Sequence, residues 1–271
     1  MMKFQKKILK KNKVRILFVL FSLLLMTSCT KQPSLFEFTT EKVDRDVIND
    51  LKKLKDLPPQ GLLYNDTIYE VWKTCSGEWG GTIYFKNKQS GKIYYAKADC
   101  PVSVSKINNR YYISNSMSHG FGSSDILEIT DPEKMEQVDK IPIYHPNIIT
   151  REYESHSSKG TKKMVDSSGV LIMSSFVYKQ KLYSILSDYH NAKATISELR
   201  NNKFYTIQEI DKDLFSDNPY IIKESEPIRR FIYSIPSRGF LKLRKIKSSL
   251  FLIQKVKNKE TAFKAASHIS F

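Results

Sequence analysis

The sequence has few cysteines and no apolar run that is long enough to cross a membrane. Its 271 residues include three cysteines and ten glycines, and fifteen tyrosines stand against two tryptophans. The longest apolar stretch is residues 16–26. As a helix it would extend roughly 16 Å, about half of the hydrocarbon core of a bilayer. This stretch therefore does not span a membrane alone.

Acidic residues are nearly absent from both ends of the chain. The formal net charge is +16, but residues 1–28 hold seven Lys/Arg and no acid, and residues 229–271 hold eleven Lys/Arg and one acid, Glu260. These ends leave 26 basic and 27 acidic residues for 29–228. A nucleic-acid-binding domain needs a basic face on its folded body. Helix-turn-helix, zinc-finger and RNP-type patterns are also absent, so nucleic acid is not expected as a partner.

The N-terminus has the three parts of an export signal. A basic segment, 1–15, precedes the apolar segment, which ends at Met26-Thr27-Ser28-Cys29. This order is typical of a secretory signal peptide. The four residues resemble the bacterial lipobox, with Met in place of the commoner Leu. The alternative is a plain cleaved signal peptide followed by an incidental cysteine.

The lipobox resemblance implies a lipid anchor. It implies that residues 1–28 are removed, that the Cys29 sulfur carries a diacylglycerol, and that acyl chains such as palmitate hold the protein at a membrane, because two or more chains bind a bilayer stably. Thr30 follows Cys29 where an Asp favours retention in the inner membrane. The resemblance therefore implies a cell-envelope protein that is sorted to the outer membrane.

A tether and a helix are predicted before the main domain. Residues 29–40 are polar and contain Pro33, which is typical of a tether. In 41–58, the residues Val43, Val47, Leu51 and Leu54 fall on one helical face, and Pro58-Pro59 ends the pattern. The segment predicts an amphipathic helix that packs on the domain. A helix that lies on the membrane is less favoured because its polar face is mixed in sign.

From Thr67 onward, the apolar residues alternate with period two, as in strands. Turn signals such as Gly80-Gly81 and Asn108-Asn109 separate the candidate strands. Predicted strands are 67–74, 81–87, 92–98, 102–107, 110–116 and 125–130, and then 169–178, 181–188, 194–199 and 203–210. An all-β domain of mainly antiparallel meanders is therefore expected over 60–271.

The two series of strands are alike. Residues 107–130 and 178–199 both show the pattern of a polar turn, a strand, a loop and a further strand. Regularly spaced short strands are typical of a propeller, a sandwich or a barrel. The order of strands resembles the blades of β-propellers in extracytoplasmic bacterial lipoproteins, which implies a β-propeller-like fold. Two separate meander sheets are the alternative.

The basic C-terminal segment, 229–271, allows two interpretations. Its apolar residues alternate in part, at Phe240, Leu241, Leu243, Leu250 and Leu252. This alternation favours strands that complete the last sheet. The other interpretation is a basic end that lies near anionic lipid.

Cys75 and Cys100 are the two cysteines that remain if Cys29 is acylated. An exported protein meets an oxidising compartment, where an even pair of cysteines can form a disulfide. The pair lies at the ends of neighbouring predicted strands. We therefore expect a Cys75–Cys100 disulfide and no metal site, since two cysteines supply half of a zinc ligand set.

Candidate binding residues stand on two glycine-rich loops. Glu78 and Trp79 lie in Cys75–Gly81, where a carboxylate and an aromatic ring could grip a sugar or peptide; the alternative is a structural corner with Trp79 in the core. His119 and Asp125 lie in "SHGFGSSD", whose spacing matches no nucleophile elbow. His119, His145, His156 and His190 are isolated, without metal-ligand spacing, and each is expected at the surface.

The sequence thus predicts a non-catalytic binding or scaffold module on a lipid anchor, with a protein or glycan ligand and no cofactor or metal. The alternative is a carbohydrate-active hydrolase on a propeller, which needs two carboxyl groups about 5–10 Å apart. Candidates for such a pair are Asp99, Asp125, Glu128 and Asp188.

Overall fold

The computed structural model describes an all-β domain. It describes residues 35–42, 59, 61–74, 80–143, 154–191, 193–213, 220–225, 228–233, 239–243 and 249–254. Within these ranges the chain forms eighteen strands and one 3₁₀ turn, which confirms the predicted fold class. No helix in these ranges has the length and apolar character needed to cross a membrane. The predicted signal peptide and Cys29 lie outside the described residues.

The first sheet has five antiparallel strands in the order β2-β3-β4-β5-β9. The strands are β2 (Leu62–Asn65), β3 (Tyr69–Thr74), β4 (Thr82–Asn87), β5 (Ile93–Lys97) and β9 (Glu136–Val138). The second sheet has the order β10-β8-β7-β6. Its strands are β6 (Pro101–Ile107), β7 (Arg110–Met117), β8 (Ser123–Ile129) and β10 (Lys162–Ser168), and the 3₁₀ turn, Pro132–Lys134, lies between β8 and β9.

The third sheet is a simple meander, and the fourth joins the two ends of the described chain. The third consists of β11 (Val170–Tyr178), β12 (Lys181–Asp188), β13 (Lys193–Arg200) and β14 (Lys203–Asp213). The fourth consists of β15 (Tyr220–Ser225), β16 (Ile228–Tyr233), β17 (Gly239–Leu243) and β18 (Ser249–Gln254), with β1 (Glu37–Lys42) parallel to β18. Phe240, Leu241 and Leu243 thus lie in β17, and Leu250 and Leu252 lie in β18.

Strand β1 occupies residues that the sequence pattern assigned to the tether and to the start of the helix. Residues 37–40 were expected in the tether and residues 41–42 in the helix, but all six pair with β18. Glu37 lies opposite Ser249, about two hundred residues further along the chain. Local periodicity cannot reveal such a distant partner. The remainder of the predicted helix, 43–58, falls outside the described residues.

The segment of chain between β8 and β10 connects the first and second sheets. After β8 it crosses to the first sheet and adds β9 beside β5. On its return, the Ser155 N–H donates to Thr82 Oγ1 at 2.8 Å, and the Ser157 carbonyl accepts from the Lys97 N–H at 2.9 Å. It then adds β10 to the free side of β8. Neither sheet is therefore built from one continuous stretch of sequence.

The core lies between the sheets, in layers of different composition. The cluster between the first and second sheets is apolar and aromatic, and its members include Val71, Phe85, Tyr111, Ile113 and Ile129. The cluster between the second and third sheets includes Val102, Ile126, Ile172 and Leu186. On the other face of the third sheet, Phe36 packs with Met173, Phe176, Tyr183 and Ile196, among others.

Buried serines supplement the apolar contact between the second and third sheets. Ser175 is the centre: its hydroxyl lies 2.7 Å from Ser114 Oγ and 2.8 Å from Ser184 Oγ, and its N–H donates to Ser103 Oγ at 3.0 Å. Ser124 Oγ also donates to the Val170 carbonyl at 2.8 Å. Satisfied hydroxyls allow these polar residues to be buried without a large desolvation penalty, and they fix the position of β11 against the second sheet.

The two strand series are alike in structure as they are in sequence. Both β6–β7 and β11–β12 are joined by two residues with positive φ, Asn108-Asn109 and Lys179-Gln180, as in the type I′ turns that suit twisted hairpins. In the second sheet Tyr112 lies opposite Glu128, and in the third Tyr183 lies opposite Glu198. The second and third sheets therefore share a hairpin with the same kind of turn and a tyrosine–glutamate pair.

Candidate functional site

Three loops meet along one edge of the first three sheets. They follow the second strand, in chain order, of each of these sheets, and their described residues are 80–81, 118–122 and 189–191. Backbone hydrogen bonds link the described parts of this edge into a chain: Cys100 N–H to Gly80 O at 3.3 Å, Ser116 N–H to Cys100 O at 3.0 Å, Gly169 N–H to Gly122 O at 2.9 Å, and Tyr189 N–H to Gly169 O at 2.9 Å. We call these loops, with the strand ends that flank them, the loop edge.

The candidate residues from the sequence converge on the loop edge as far as the structure describes them. His119 lies in the loop of the second sheet, and Asp125 lies near the start of β8, beside that loop. Cys100 immediately precedes β6, in hydrogen-bonding contact with Gly80. Glu78, Trp79 and Cys75 fall in a segment outside the described residues.

Asp125 is the one strongly perturbed acid of the loop edge. Its side chain is buried, and Asn115 Nδ2 donates to its Oδ1 at 2.6 Å. Burial raises the pKa of Asp125 to about 6, and the charges of Asp99 and Asp166 act in the same direction. The Asn115 bond and Lys163 oppose this shift. A carboxyl group with such a pKa can hold a proton near neutral pH.

Asn115 is incompletely satisfied. It is 1% exposed, and its Oδ1 is buried without a hydrogen-bond partner in the described structure. Buried acceptors are rarely left unpaired because the loss of water is costly. An ionised Asp125 has no proton to donate to this oxygen, whereas a protonated Asp125 does. The rise in the pKa of Asp125 therefore comes from burial, and the hydrogen bond from Asn115 Nδ2 limits it.

Phe121 is the most exposed large apolar residue on the described loop edge, at 77% exposure. The turn that carries it is held in place: Gly122 N–H donates to the His119 carbonyl at 3.1 Å, and Gly122 lies against the Tyr189 ring. Tyr189 in turn meets His190 edge-to-face, with ring centroids 5.6 Å apart. The loop edge therefore presents an aromatic side chain on a fixed turn. The pattern Gly120-Phe121-Gly122, an aromatic residue between two glycines of a turn, indicates an exposed ring, and Phe121 was not among the predicted site residues.

The other candidate carboxylates have different environments. Glu128 is buried, and its Oε2 accepts from Tyr112 OH at 2.9 Å and pairs with Arg110 Nη1 at 3.3 Å. Asp188 is the last residue of β12, and its Oδ1 accepts from the backbone N–H groups of His190 and Asn191 at 2.9 and 3.0 Å, which lowers its pKa. These contacts give Glu128 and Asp188 structural roles, and they leave Asp125 with Asp99 as the remaining pair.

Glu198, which the sequence analysis did not single out, repeats the Glu128 arrangement in the third sheet. It pairs with Lys181 Nζ at 3.0 Å and with Arg200 Nη2, and Tyr183 OH donates to it at 3.4 Å. The Arg200 hydrogen bond, supported by Lys181, lowers the pKa of Glu198 to about 2. A permanently ionised, paired carboxylate is a structural link between strands and not a proton donor.

Asp66 is a second structural acid that the sequence pattern did not reveal. It lies between β2 and β3, and its Oδ2 accepts from Lys106 Nζ at 2.7 Å and from Tyr111 OH at 2.8 Å. Burial by itself would raise its pKa, but Lys106, two backbone N–H groups and Tyr111 bring the pKa to about 2. Asp66 therefore ties the first sheet to the second at the edge opposite the loops.

The histidines do not assemble into a metal site. His156 and His190 are exposed, His119 is half-buried, and His145 falls outside the described residues. Within the part of the chain that the structure describes, no three His, Cys, Asp or Glu side chains are grouped so that they could hold a metal ion.

The chain was compared with known protein families, curated proteins and solved structures. No known family profile and no curated protein matches the chain. Among solved structures, the chain is similar to the subtype N10 neuraminidase-like protein of A/little yellow-shouldered bat/Guatemala/060/2010, with 10% identity and a TM-score of 0.34. The likeness covers 73% of this chain, and it spans 60% of the length of that protein.

Proposed function

We propose that this protein is an exported, lipid-anchored binding module that uses its loop edge to hold a protein or glycan ligand. The single observation that supports binding at this edge is Phe121, which is 77% exposed on a turn that is fixed by hydrogen bonds to the neighbouring sheet. Exposed aromatic residues are enriched at recognition sites. A turn whose backbone is already held in place loses little freedom on binding, which favours affinity.

Alanine at position 121 is expected to weaken ligand binding by about fivefold or more, because loss of a central aromatic contact commonly costs more than about 1 kcal/mol. The measurement is binding of the purified protein to immobilised cell-envelope glycans and peptidoglycan fragments. Tyr205→Ala is the matched control, since Tyr205 is also an exposed aromatic, at 43%, but lies in β14. Equal binding by the wild type and Phe121→Ala would contradict the proposal.

Anchoring is the second part of the proposed function, and it depends on Cys29. Cys29→Ser is expected to abolish metabolic labelling with palmitate and to release the protein from membranes, because a serine hydroxyl cannot accept the thioether-linked diacylglycerol. Cys75→Ser is the matched control and should retain the label. Acyl label on the Cys29→Ser variant would overturn the anchor.

We further propose the Cys75–Cys100 disulfide. Cys100 is 7% exposed, and a Cβ placed on Gly81 would lie 2.9 Å from Thr74 O and 3.1 Å from Cys100 N. Gly81 thus brings the backbone at Thr74, which directly precedes Cys75 in the sequence, close to the backbone of Cys100, and this proximity supports the proposed bridge.

Thiol counting tests the disulfide. The exported, acylated wild type should react with no thiol reagent under denaturing, non-reducing conditions, and Cys75→Ser should expose a single thiol at Cys100. Reagent mass added to each cysteine is measured by peptide mass spectrometry. Two reactive thiols in the wild type would refute the bridge.

A carbohydrate-active hydrolase is the second candidate, and Asp125 is the observation that favours it. A carboxyl group with a pKa of about 6 can act as a general acid, and Asp99 and Asp166 lie near enough to affect its charge. Turnover of any glycan that the loop edge binds, lost in Asp125→Asn with binding retained, would select this function over simple binding.

A further inference from the structure

The N-terminal end of the described chain is fixed to the third sheet. Phe36 N–H donates to Gln208 Oε1 at 3.1 Å, and Gln208 Nε2 donates back to the Phe36 carbonyl at 2.8 Å. The Phe36 ring meets Phe176, Tyr178 and Tyr183 edge-to-face, with centroids 5.4–5.6 Å apart. Phe36 is 3% exposed. The backbone that leads back toward Cys29 is therefore held firmly at this point.

The chain between Cys29 and Phe36 is short. Seven Cα–Cα steps separate the two residues, and a fully extended chain advances at most about 3.6 Å per step, so Cys29 lies within about 25 Å of Phe36. A lipid on Cys29 would thus keep the third sheet next to the membrane surface. With so short a tether, the charges near Phe36 decide which edge of the sheet turns toward the lipid.

Basic residues are concentrated at the end of the third sheet nearest to Phe36. The two hairpin turns at this end, 179–180 and 201–202, are flanked or formed by the exposed residues Lys179, Lys181, Arg200 and Lys203. We call these four residues the hairpin edge. The acid among them is Glu198, whose side chain is 4% exposed and pairs with Lys181 and Arg200. The hairpin edge therefore keeps three net positive charges, and in the described structure Lys179 and Lys203 have no ion pair with Glu198. The opposite end of the same sheet carries Asp188, His190 and Lys193.

The tether and the hairpin edge are directly connected through aromatic contacts. Phe36 packs on Tyr178, and Lys179 Nζ lies over the Tyr178 ring at 5.3 Å from its centroid. At the second hairpin, the Arg200 guanidinium lies over Tyr205 at 5.7 Å, and Tyr205 is 43% exposed. Cationic and tyrosine side chains together suit the boundary between lipid headgroups and water.

We propose that the hairpin edge docks on an anionic lipid surface, so that the loop edge of the same molecule points away from the membrane toward its ligand. This inference depends on the lipid anchor of the proposed function. Charge complementarity supplies the attraction: each Lys or Arg near an anionic surface contributes about 1 kcal/mol, which is about fivefold in binding. The attraction decays within about 8 Å at physiological ionic strength, so salt weakens it.

Lysine footprinting of the acylated full-length protein tests the orientation. The protein is reconstituted in phosphatidylglycerol-containing vesicles or in pure phosphatidylcholine vesicles, acetylated with a membrane-impermeant reagent and analysed by peptide mass spectrometry. Acetylation of Lys179 and Lys203 is expected to fall about fivefold in the anionic vesicles and to recover in high salt. Lys193, on the opposite end of the sheet, is the internal control and should react equally in both.

A charge variant adds an independent readout. In the double variant Lys179→Glu/Lys203→Glu, the remaining Lys181 is expected to be acetylated in anionic vesicles as readily as in neutral ones. In the control variant Lys193→Glu, Lys181 should still be protected from acetylation in anionic vesicles. Equal acetylation of Lys179 and Lys203 in both vesicles would overturn the inference, as would protection of Lys193 in their place. Failure of the protein to float with either vesicle would instead refute the lipid anchor.

Discussion

Alanine at position 81 is expected to destabilise the domain by about 4 kcal/mol. Gly81 has φ +139, a conformation that residues with a Cβ rarely adopt, and this alone costs roughly 1–3 kcal/mol. The added Cβ would also lie 2.5 Å from Ala98 O and 2.9 Å from Thr74 O. Both are backbone atoms, so no side chain can rotate away, and overpacking adds roughly 1–3 kcal/mol.

Gly120→Ala separates the two contributions to this loss. Gly120 also has a positive φ, +64, but a Cβ there would meet nothing within 4 Å. It should therefore lose only the conformational part, about 1 kcal/mol. Urea unfolding followed by far-ultraviolet circular dichroism measures both variants. If Gly81→Ala unfolds no more easily than Gly120→Ala, the close approach of the Thr74 and Ala98 backbones to Gly81 is incorrect.

The consequence for the loop edge follows from the position of Gly81. The same Cβ would approach Cys100 N to 3.1 Å, so Gly81→Ala would push apart the backbone segments that carry the proposed disulfide. The variant should therefore also slow disulfide formation. Gly120→Ala, which lies in another loop, should not.

The strands of the meanders were predicted well because their determinants are local. The predicted strand 110–116 corresponds to β7, Arg110–Met117, and 181–188 coincides with β12, Lys181–Asp188. Both strands are buried over most of their length and exposed or half-buried at their ends. Asn108-Asn109 supplies the turn chemistry between β6 and β7. Hairpins pair neighbours in sequence, so a short window contains all the information that is needed.

Three of the strands that the sequence did not reveal, β1, β9 and β10, depend on distant partners or are polar edges. β1 pairs with β18, and β9 joins the first sheet after the chain has left it. β10 is an edge strand in which Val165 is the only buried residue, so its sequence lacks the apolar alternation of a strand. The addition of β9 as the fifth strand of the first sheet, and the return of the chain to the second sheet at β10, are properties of the whole fold. No local sequence pattern encodes them.

The candidate site was predictable in part. Asp125 and His119 were identified as residues of a loop, but their common edge with the loops of the other sheets depends on the packing of one sheet against the next. Glu198 and Asp66 were missed because a single acid in a polar stretch reads as solvent-exposed. Their lysine, arginine and tyrosine partners come from adjacent strands or from another sheet. An alignment of the two similar strand series would have placed Glu198 at a position equivalent to that of Glu128.

The unfolding free energy is expected to rise as the pH falls from 7.5 to 5, because of Asp125. Its folded-state pKa, about 6, is above the 3.8 of an unfolded aspartate, so the folded protein binds the proton more tightly. Stability from this group is therefore absent above pH 6, grows through the window between about 6 and 3.8, and is complete below it. By linkage, protonation of Asp125 adds about 1.4 kcal/mol to the free energy of unfolding by pH 5, out of about 3 kcal/mol when the group is fully protonated.

Asp125→Asn isolates this effect, since an amide is neutral at every pH and can also donate to the unpaired Asn115 Oδ1. At pH 7.5 the variant should be more stable than the wild type by up to about 3 kcal/mol, and its stability should not increase between pH 7.5 and 5. Asp166→Asn is the control: Asp166 is exposed and pairs with Lys163 at the surface, so the variant should keep most of the wild-type slope.

The stabilising acids, Asp66 and Glu198, have pKa values of about 2, so their contributions are lost only at lower pH and do not obscure the window. Urea midpoints at both pH values measure the difference, and an unchanged slope in Asp125→Asn would show that Asp125 is ionised in the folded protein throughout this range.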